Sequence, residues 1–443
     1  MTQPQAKMAK VPVPTERAST GWILRFTLAY IGINIVWAGP GQVLMAPQVE
    51  ILSQGAQWGP FTAVKEDNLA LIGAIAGIFA VLSGPLWGVL SDRSSSKWGR
   101  RTPWMTVGTI LVAIAMIASG MAQTLPALLL SWTAFQIVIN AVITPLSATI
   151  PDHVPERQRG VVSGWYGFGY TFAVVAGTGL GTLATALWPG MKGITLGYFL
   201  CAAACVVAML PMLANRWETP LPREVKESIP RFGWPQLLAC FWVDVRKHPD
   251  FGWAWLTRFI VTLSTSTTLF YLYYYLQDEI GLTRDDALDA QGLRVSEGVL
   301  LLTATYAIAV FGTVVVAGVL SDRLGKRKVF VSAASIFIGI ATVTIAFAPN
   351  FAVVIVGAII LGLGTGVFTS VDFALVSQVL PATEDTGKDV GIIHLAITLP
   401  NILAPVVAAL LVGSLGGYTS LYLFAGSLAV LGGLLVYKIK GVD

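Results

Sequence analysis

Apolar runs of about 20 residues alternate with short polar connections along nearly the whole chain. Folded as helices, runs of that length reach across a hydrocarbon core of roughly 30 Å. The pattern predicts twelve spans, the first six at 21–46, 68–90, 103–122, 125–149, 160–187 and 194–214. The second six are expected at 252–276, 296–320, 329–347, 351–379, 389–413 and 418–437. Between the two sets lies a polar stretch, 215–250, that carries Pro220, Pro222, Pro230 and Pro235 among charged residues.

The two sets repeat one another. The hexapeptide Gly-Val-Leu-Ser-Asp-Arg closes the second span at Gly88–Arg93 and the eighth at Gly318–Arg323, 230 residues later. A basic stretch follows each copy, Lys97, Arg100 and Arg101 in the first and Lys326, Arg327 and Lys328 in the second. Leu24-Arg25-Phe26 in the first span matches Thr257-Arg258-Phe259 in the seventh. The fold expected is an all-α membrane protein, with twelve transmembrane helices in two pseudo-symmetric six-helix bundles, an architecture on which transporters place a midplane site. Its parts would be a cytoplasmic tail (1–20), an N-terminal bundle (21–214), a cytoplasmic middle loop (215–250), a C-terminal bundle (251–438) and a short tail (439–443). The stretch Trp234–Val245 reads either as an amphipathic helix on the inner leaflet or as a plain tether.

Composition agrees: 55% hydrophobic residues, 12% charged and a mean hydropathy of +0.71 exclude a soluble globular chain. Charge sets the orientation. With both termini cytoplasmic, 23 of the 28 Lys and Arg fall inside and four (Lys65, Lys192, Arg284, Arg294) outside, while Arg258 falls within a span. The net charge of +4 is therefore a matter of topology and implies no nucleic-acid partner. A multi-pass protein of the cell membrane, acting as a monomer, is expected. Residues 1–20 show no apolar signal-peptide core, so the first span would serve as its own insertion signal. The three cysteines have neither disulfide-framework nor metal-ligand spacing. The glycine strings at 177–181 and 362–366 sit inside spans, where close helix packing explains them better than a nucleotide loop. No metalloprotease motif and no nucleophile–base set appears, so the expectation is not an enzyme, with no metal and no cofactor beyond an ion gradient.

Gly-x-x-x-Asp-Arg followed by basic residues, placed between spans 2 and 3 and again between spans 8 and 9, resembles the signature loop of the major facilitator superfamily. A narrower likeness lies in Ser91-Asp92-Arg93-x-x-Ser96-x-x-Gly99-Arg100-Arg101-x-Pro103, with Trp37-Ala38 and Ala46-Pro47-Gln48-Val49. These resemble plant sucrose–proton symporters and the glycoside–pentoside–hexuronide:cation symporter group. The resemblance implies sugar transport by symport. It also implies a gating role for Gly88, Asp92, Arg93, Arg100, Arg101, Gly318, Asp322 and Arg323, with Asp92 docking near Gly387–Asp389 and Asp322 near Arg159–Gly160. The plain alternative is a set of polar turn residues. Melibiose-type permeases carry acidic residues in spans 1, 2 and 4. Here span 1 offers Asn34, and spans 2 and 4 have no carboxylate before Asp92 and Asp152, which favours proton coupling, or no coupling, over sodium.

Within the spans, Arg258 and Asp372 are at similar depth and are expected to pair, because a lone charge in hydrocarbon is costly. His394, Thr398 and Asn401 share one helical face and read as cavity lining, with His394 also a proton carrier. Asn34 and Trp37 in span 1, and Gln136 and Asn140 in span 4, offer amides beside an aromatic ring, which suits a polyol. Tyr166, Thr268 and Tyr271 complete the substrate-binding set, while Tyr274 and Tyr275 read as an interfacial aromatic belt. The function expected is proton-coupled symport of a small-molecule glycoside across the lipid bilayer by alternating access. A drug or metabolite exporter, or a lipid-handling or sensor protein on the same scaffold, is the alternative.

Overall fold

A computed structural model describes residues 16–54, 59–94, 96–214, 218, 249–285, 292–378 and 386–440, without the side chains of 156, 322, 373, 374, 376–378 and 386–394. The described residues are helical almost throughout. In the first half the helices are α1 (Thr20–Gly39), a π-helical turn (Pro40–Leu44), α2 (Met45–Ser53), α3 (Lys65–Asp92), α4 (Thr102–Gly120), α5 (Leu125–His153), α6 (Glu156–Leu187) and α7 (Met191–Leu213). The second half has α8 (Pro249–Phe270), α9 (Leu272–Asp278), α10 (Val295–Leu324), α11 (Arg327–Ala346), α12 (Phe351–Gln378), α13 (Thr386–Ser414) and α14 (Gly417–Leu435).

Local chemistry sets the helix ends. Ser19 caps α1 by accepting from the Trp22 amide, and Thr124 caps α5 by accepting from that of Ala127. Pro103 and Pro126 sit in first turns, where a missing N–H leaves nothing unpaired. Gly325, at φ 64°, turns the chain from α10 into α11, a left-handed conformation that favours glycine. Pro40, lacking an N–H, and Gly41 lie where α1 widens into its π-helical turn.

Among the described residues, eleven helices are long and apolar enough to cross a membrane. The seventh expected span is not among them. It is divided at Tyr271 into α8 and α9, and α8 carries Thr257, Arg258, Thr262 and the run Ser264–Thr268 in its interior. Its polarity, and not its 22-residue length, sets it apart.

The described chain divides into two compact units. One comprises residues 1–44 and 78–234, the other 45–77 and 235–443. The boundary expected from sequence ran through the middle loop alone. In the structure the stretch 45–77 (α2, the following loop and the first part of α3) packs instead with the second half.

The units share a pattern of helix pairing. In the first, α1 packs on α6 and α7, α4 packs on α5 and α7, and α6 packs on α7. In the second, α8 packs on α13 and α14, α11 packs on α12 and α14, and α13 packs on α14. Each of these five pairings in the first unit has its counterpart in the second. Glycines permit the closest approaches. A methyl group on Gly177 would lie 2.9 Å from both Gly39 N and Ile35 O, and one on Gly362 would lie 2.6 Å from Tyr306 O. Backbone against backbone leaves no room for a side chain. We therefore expect Gly177→Ala to lower stability by about 1–3 kcal/mol through overpacking, read as a fall in the thermal unfolding midpoint of the purified protein in detergent.

Candidate functional site

The basic loop after α3 is bound together by ionic contacts within the first unit. Arg101 pairs with Asp92 at 2.5 Å and with Asp152 at 3.2 Å, and donates to Ser91 Oγ at 2.7 Å. Arg100 pairs with Asp152 at 2.5 Å. Asp92 itself is half exposed, with its side chain at 52%. The docking expected for Asp92 near Gly387–Asp389 involves side chains outside the described residues, as does that of Asp322. Arg93 is half-buried and has partners of its own, Gly88 packs near Thr144, and Arg323 is exposed. Gly318 lies near Ser370.

Glu218, beyond the end of α7, was not anticipated. Its carboxylate accepts from the amides of Arg101 (2.7 Å) and Thr102 (2.9 Å) and from Thr102 Oγ1 (3.0 Å). These amides begin α4, where free N–H groups and the helix dipole both favour a carboxylate. From sequence, the stretch carrying Glu218 reads as a cytoplasmic middle loop. At this residue it is also a cap.

Deep in the second unit, Arg258 of α8 lies beside Asp372 of α12, Nε to Oδ2 3.2 Å, with side chains 13% and 3% exposed. Arg258 Nη1 is buried and has no hydrogen-bond partner among the described residues. The pair neutralises its charge but leaves the guanidinium incompletely satisfied, a costly arrangement in a low-dielectric interior.

The uncharged residues expected at the substrate site fall into two groups. Some are occupied internally. Asn140 Nδ2 lies 3.0–3.1 Å from Ala80 O, Ser83 Oγ and Gln136 O, tying α5 to α3. Asn34 is buried and donates back to Tyr30 O at 2.7 Å. Thr268 is buried with its hydroxyl on Ser264 O, so the structure does not bring it to an opening. Others keep exposure. Trp37 is 39% exposed, Gln136 and Thr398 are half-buried, and Asn401 is exposed. Tyr166 packs on Tyr30 with ring centroids 3.9 Å apart, a contact the sequence reading missed because Tyr30 sits in an apolar run. The side chain of His394 lies outside the described residues.

The tyrosines at the α8–α9 break are buried, which corrects the reading of Tyr274 and Tyr275 as an interfacial belt; Tyr271, expected in the substrate-binding set, is buried with them. Tyr271 donates to Glu66 O (2.6 Å), Tyr274 to Ala46 O (2.9 Å) and Tyr275 to Ile345 O (2.6 Å). Around them lies an ionic network. Lys65 Nζ is 2.9 Å from Asp278 and 3.4 Å from Glu50, and lies 4.6 Å over the Tyr274 ring. Gln277 donates to both oxygens of Glu50 at 3.0 Å, and Arg284 stands 3.3 Å from it. Tyr418 donates to Asp278 at 2.8 Å. Tyrosine hydroxyls satisfied by backbone carbonyls thus hold α2 and the start of α3 against α9. In the loop beyond, burial raises the Asp285 carboxyl above the usual carboxylate range, opposed by hydrogen bonds from Tyr273 and Ser296.

With the fold and these clusters in view, comparison with known proteins fixes the family. The Major Facilitator Superfamily model matches residues 26–300 and 289–442, and the chain belongs to that superfamily of transporters. It is similar to the glycine betaine/proline/ectoine/pipecolic acid transporter OusA of Dickeya dadantii, 25% identical over 79% of this chain and 71% of the relative. It is also similar to the multidrug resistance protein MdtG of Citrobacter koseri, 22% identical over 70% of each chain. A shorter similarity, 34% identity over 83 residues (19% of this chain and 15% of the relative), is to the sucrose transport protein SUT1 of Oryza sativa subsp. japonica. Among solved structures, the nucleoside transporter NupG matches with a TM-score of 0.70 and 11% identity, over 94% of this chain and 99% of that one. Membership supports transport of a small molecule by a multi-pass membrane protein that is not an enzyme.

Two outcomes follow for the clusters. Glu218→Ala removes a cap and is expected to cost about 1 kcal/mol, seen as a lower thermal midpoint, with Glu218→Gln costing less. Asp372→Ala leaves a buried guanidinium without a counter-charge and should cost about 3–5 kcal/mol. The apolar double change Arg258→Met/Asp372→Leu should recover most of that loss in the same thermal assay.

Proposed function

We propose that this chain is a proton-coupled symporter of a small, uncharged, polyhydroxylated solute, a sugar or glycoside, working by alternating access with twelve spans and cytoplasmic termini. The observation that carries the reading is the self-contained Arg258–Asp372 pair. Its charges are spent on each other, while Gln136, Thr398 and Asn401, which keep exposure within spans, are uncharged groups that donate and accept hydrogen bonds. A zwitterion such as those named for OusA would bring a charge at each end and need separate counter-charges. A neutral polyol needs donors and acceptors.

The pair also gives a proton somewhere to act. With Asp372 ionised, Arg258 is compensated and the pair holds α8 to α12. Protonating Asp372 leaves Arg258, whose Nη1 already lacks a partner, without its counter-ion, and this favours a rearrangement that returns the guanidinium to water or substrate. Each proton is thereby linked to a change of state. His394, on α13, is a second place for the proton. At the two mouths, the Asp92–Arg101–Asp152 cluster on the cytoplasmic side and the Lys65–Glu50–Asp278 network on the extracellular side would be the contacts made and broken in each cycle.

The short similarity to a sucrose transport protein supports the sugar class. A proton-driven exporter is the second reading, favoured by the longer similarity to MdtG. Proteoliposome counterflow with labelled sucrose, maltose and methyl glucosides separates the two. We expect saturable sugar exchange in the wild type and uphill uptake when the outside is made acidic. Asp372→Asn is expected to keep exchange and lose uphill uptake. Movement of a hydrophobic cation with no sugar exchange would replace the symport reading with the exporter.

A further inference from the structure

Asn401 lies near the middle of α13, and Ser266 lies at a similar depth in the α8–α9 span. Ser266 Oγ donates to Asn401 Oδ1 at 2.8 Å, and Asn401 Nδ2 donates to Ile397 O at 2.9 Å. The Asn401 side is not the lipid side. The exposed apolar residues of α13, Leu403 at 42%, Val406 at 51% and Leu410 at 58%, lie about 200°, 140° and 180° around the helix from it at ~100° per residue. An exposed amide on the opposite face, at mid-membrane depth, belongs in a water-filled space, because hydrocarbon would leave its free N–H and lone pair unpaired.

What covers this pair on the side of the Lys65 network is also visible. Phe270 is one turn beyond Ser266, and Pro405 one turn beyond Asn401. Gly73 of α3 fits against both, so closely that a methyl group there would lie 3.2 Å from Pro405 and 3.3 Å from Phe270. Four residues along, a methyl on Gly77 would lie 2.9 Å from the Ile402 side chain. Two glycines on one face of α3 thus seal α8 and α13 directly beyond the pair.

We infer that Ser266 and Asn401 form a substrate subsite for two adjacent hydroxyls, placed just beneath this glycine seal. The inference rests on the polyol reading above and assigns its specificity to named atoms. Counting the amide shows why. Asn401 has two N–H groups and two lone pairs on Oδ1, of which one N–H goes to Ile397 O and one lone pair to Ser266. One N–H, one lone pair and the Ser266 oxygen remain side by side. A vicinal diol can give one hydroxyl hydrogen to Oδ1 while its neighbour accepts the N–H and donates to Ser266 Oγ. Asn140, whose Nδ2 already reaches three acceptors, and Asn34, which is buried, offer less. Ser266 itself carried no signal in sequence, being one of several hydroxyl residues in Ser264–Thr268; its partner across to α13 singles it out.

The test is a cycle of protein and ligand changes in proteoliposomes. Sucrose, maltose and methyl α-glucoside are compared with their single-deoxy analogues on wild type, Ser266→Ala and Asn401→Ala, with KM and maximal rate measured separately. For the sugar that wild type moves, we expect one deoxy analogue to raise KM about tenfold. Each variant should raise KM for the parent sugar by a similar factor, and should show little further loss for that analogue, with maximal rates kept within a few-fold. Unchanged KM in both variants, or losses that simply add for every analogue, would overturn the subsite while leaving sugar transport standing. A wild type that moves no sugar in the panel would instead remove the polyol reading and this subsite with it.

Discussion

Inside a bilayer a charge must bring its own partner, and much of this structure answers to that constraint. Water is absent to solvate a lone guanidinium or carboxylate, so Arg258 and Asp372 are placed together across two helices. A pair of this kind adds little stability of its own, because desolvation consumes most of the attraction. Its consequence is coupling. Any event that changes one partner's charge, a proton above all, shifts the state of the helices that carry both.

The same rule holds with less force toward the two ends of the helices, where water is near. In the first unit, Arg100 and Arg101 are gathered by Asp92, Asp152 and Glu218. In the second unit, Lys65 is shared by Glu50 and Asp278 beside buried tyrosines whose hydroxyls are taken up by backbone carbonyls. Exposure within these clusters is uneven, from Arg101 at 6% to Asp92 at 52%.

The helical architecture was legible because length and hydropathy dictate spans almost directly, and because the repeated hexapeptide exposed the duplication. The matching helix pairings in the two units are its structural counterpart. Arg258 and Asp372 stood out as charges in apolar helices. What the sequence hid were partners distant in the chain. Lys65 and Asp278 are 213 positions apart, and nothing local says that 45–77 packs with the second half. Glu218 sits in a stretch of mixed charge where one carboxylate looks like another; only the free amides at the start of α4 distinguish it. Polar residues misled in the other direction. Asn140 and Thr268 have the chemistry of a lining residue, yet their hydrogen bonds are used inside the bundle. Side-chain type gives a residue's capacity, and only geometry shows how much of it remains unspent.

The central claim is that a neutral sugar and a proton move together in the same direction. It is tested most directly by recording the external pH of weakly buffered, de-energised proteoliposomes as unlabelled sugar is added. The account predicts a transient alkalinisation that scales with the sugar taken up, is abolished by a protonophore and is absent in Asp372→Asn. Sugar uptake with no change in pH, or an acidification showing that protons move against the sugar, would contradict it.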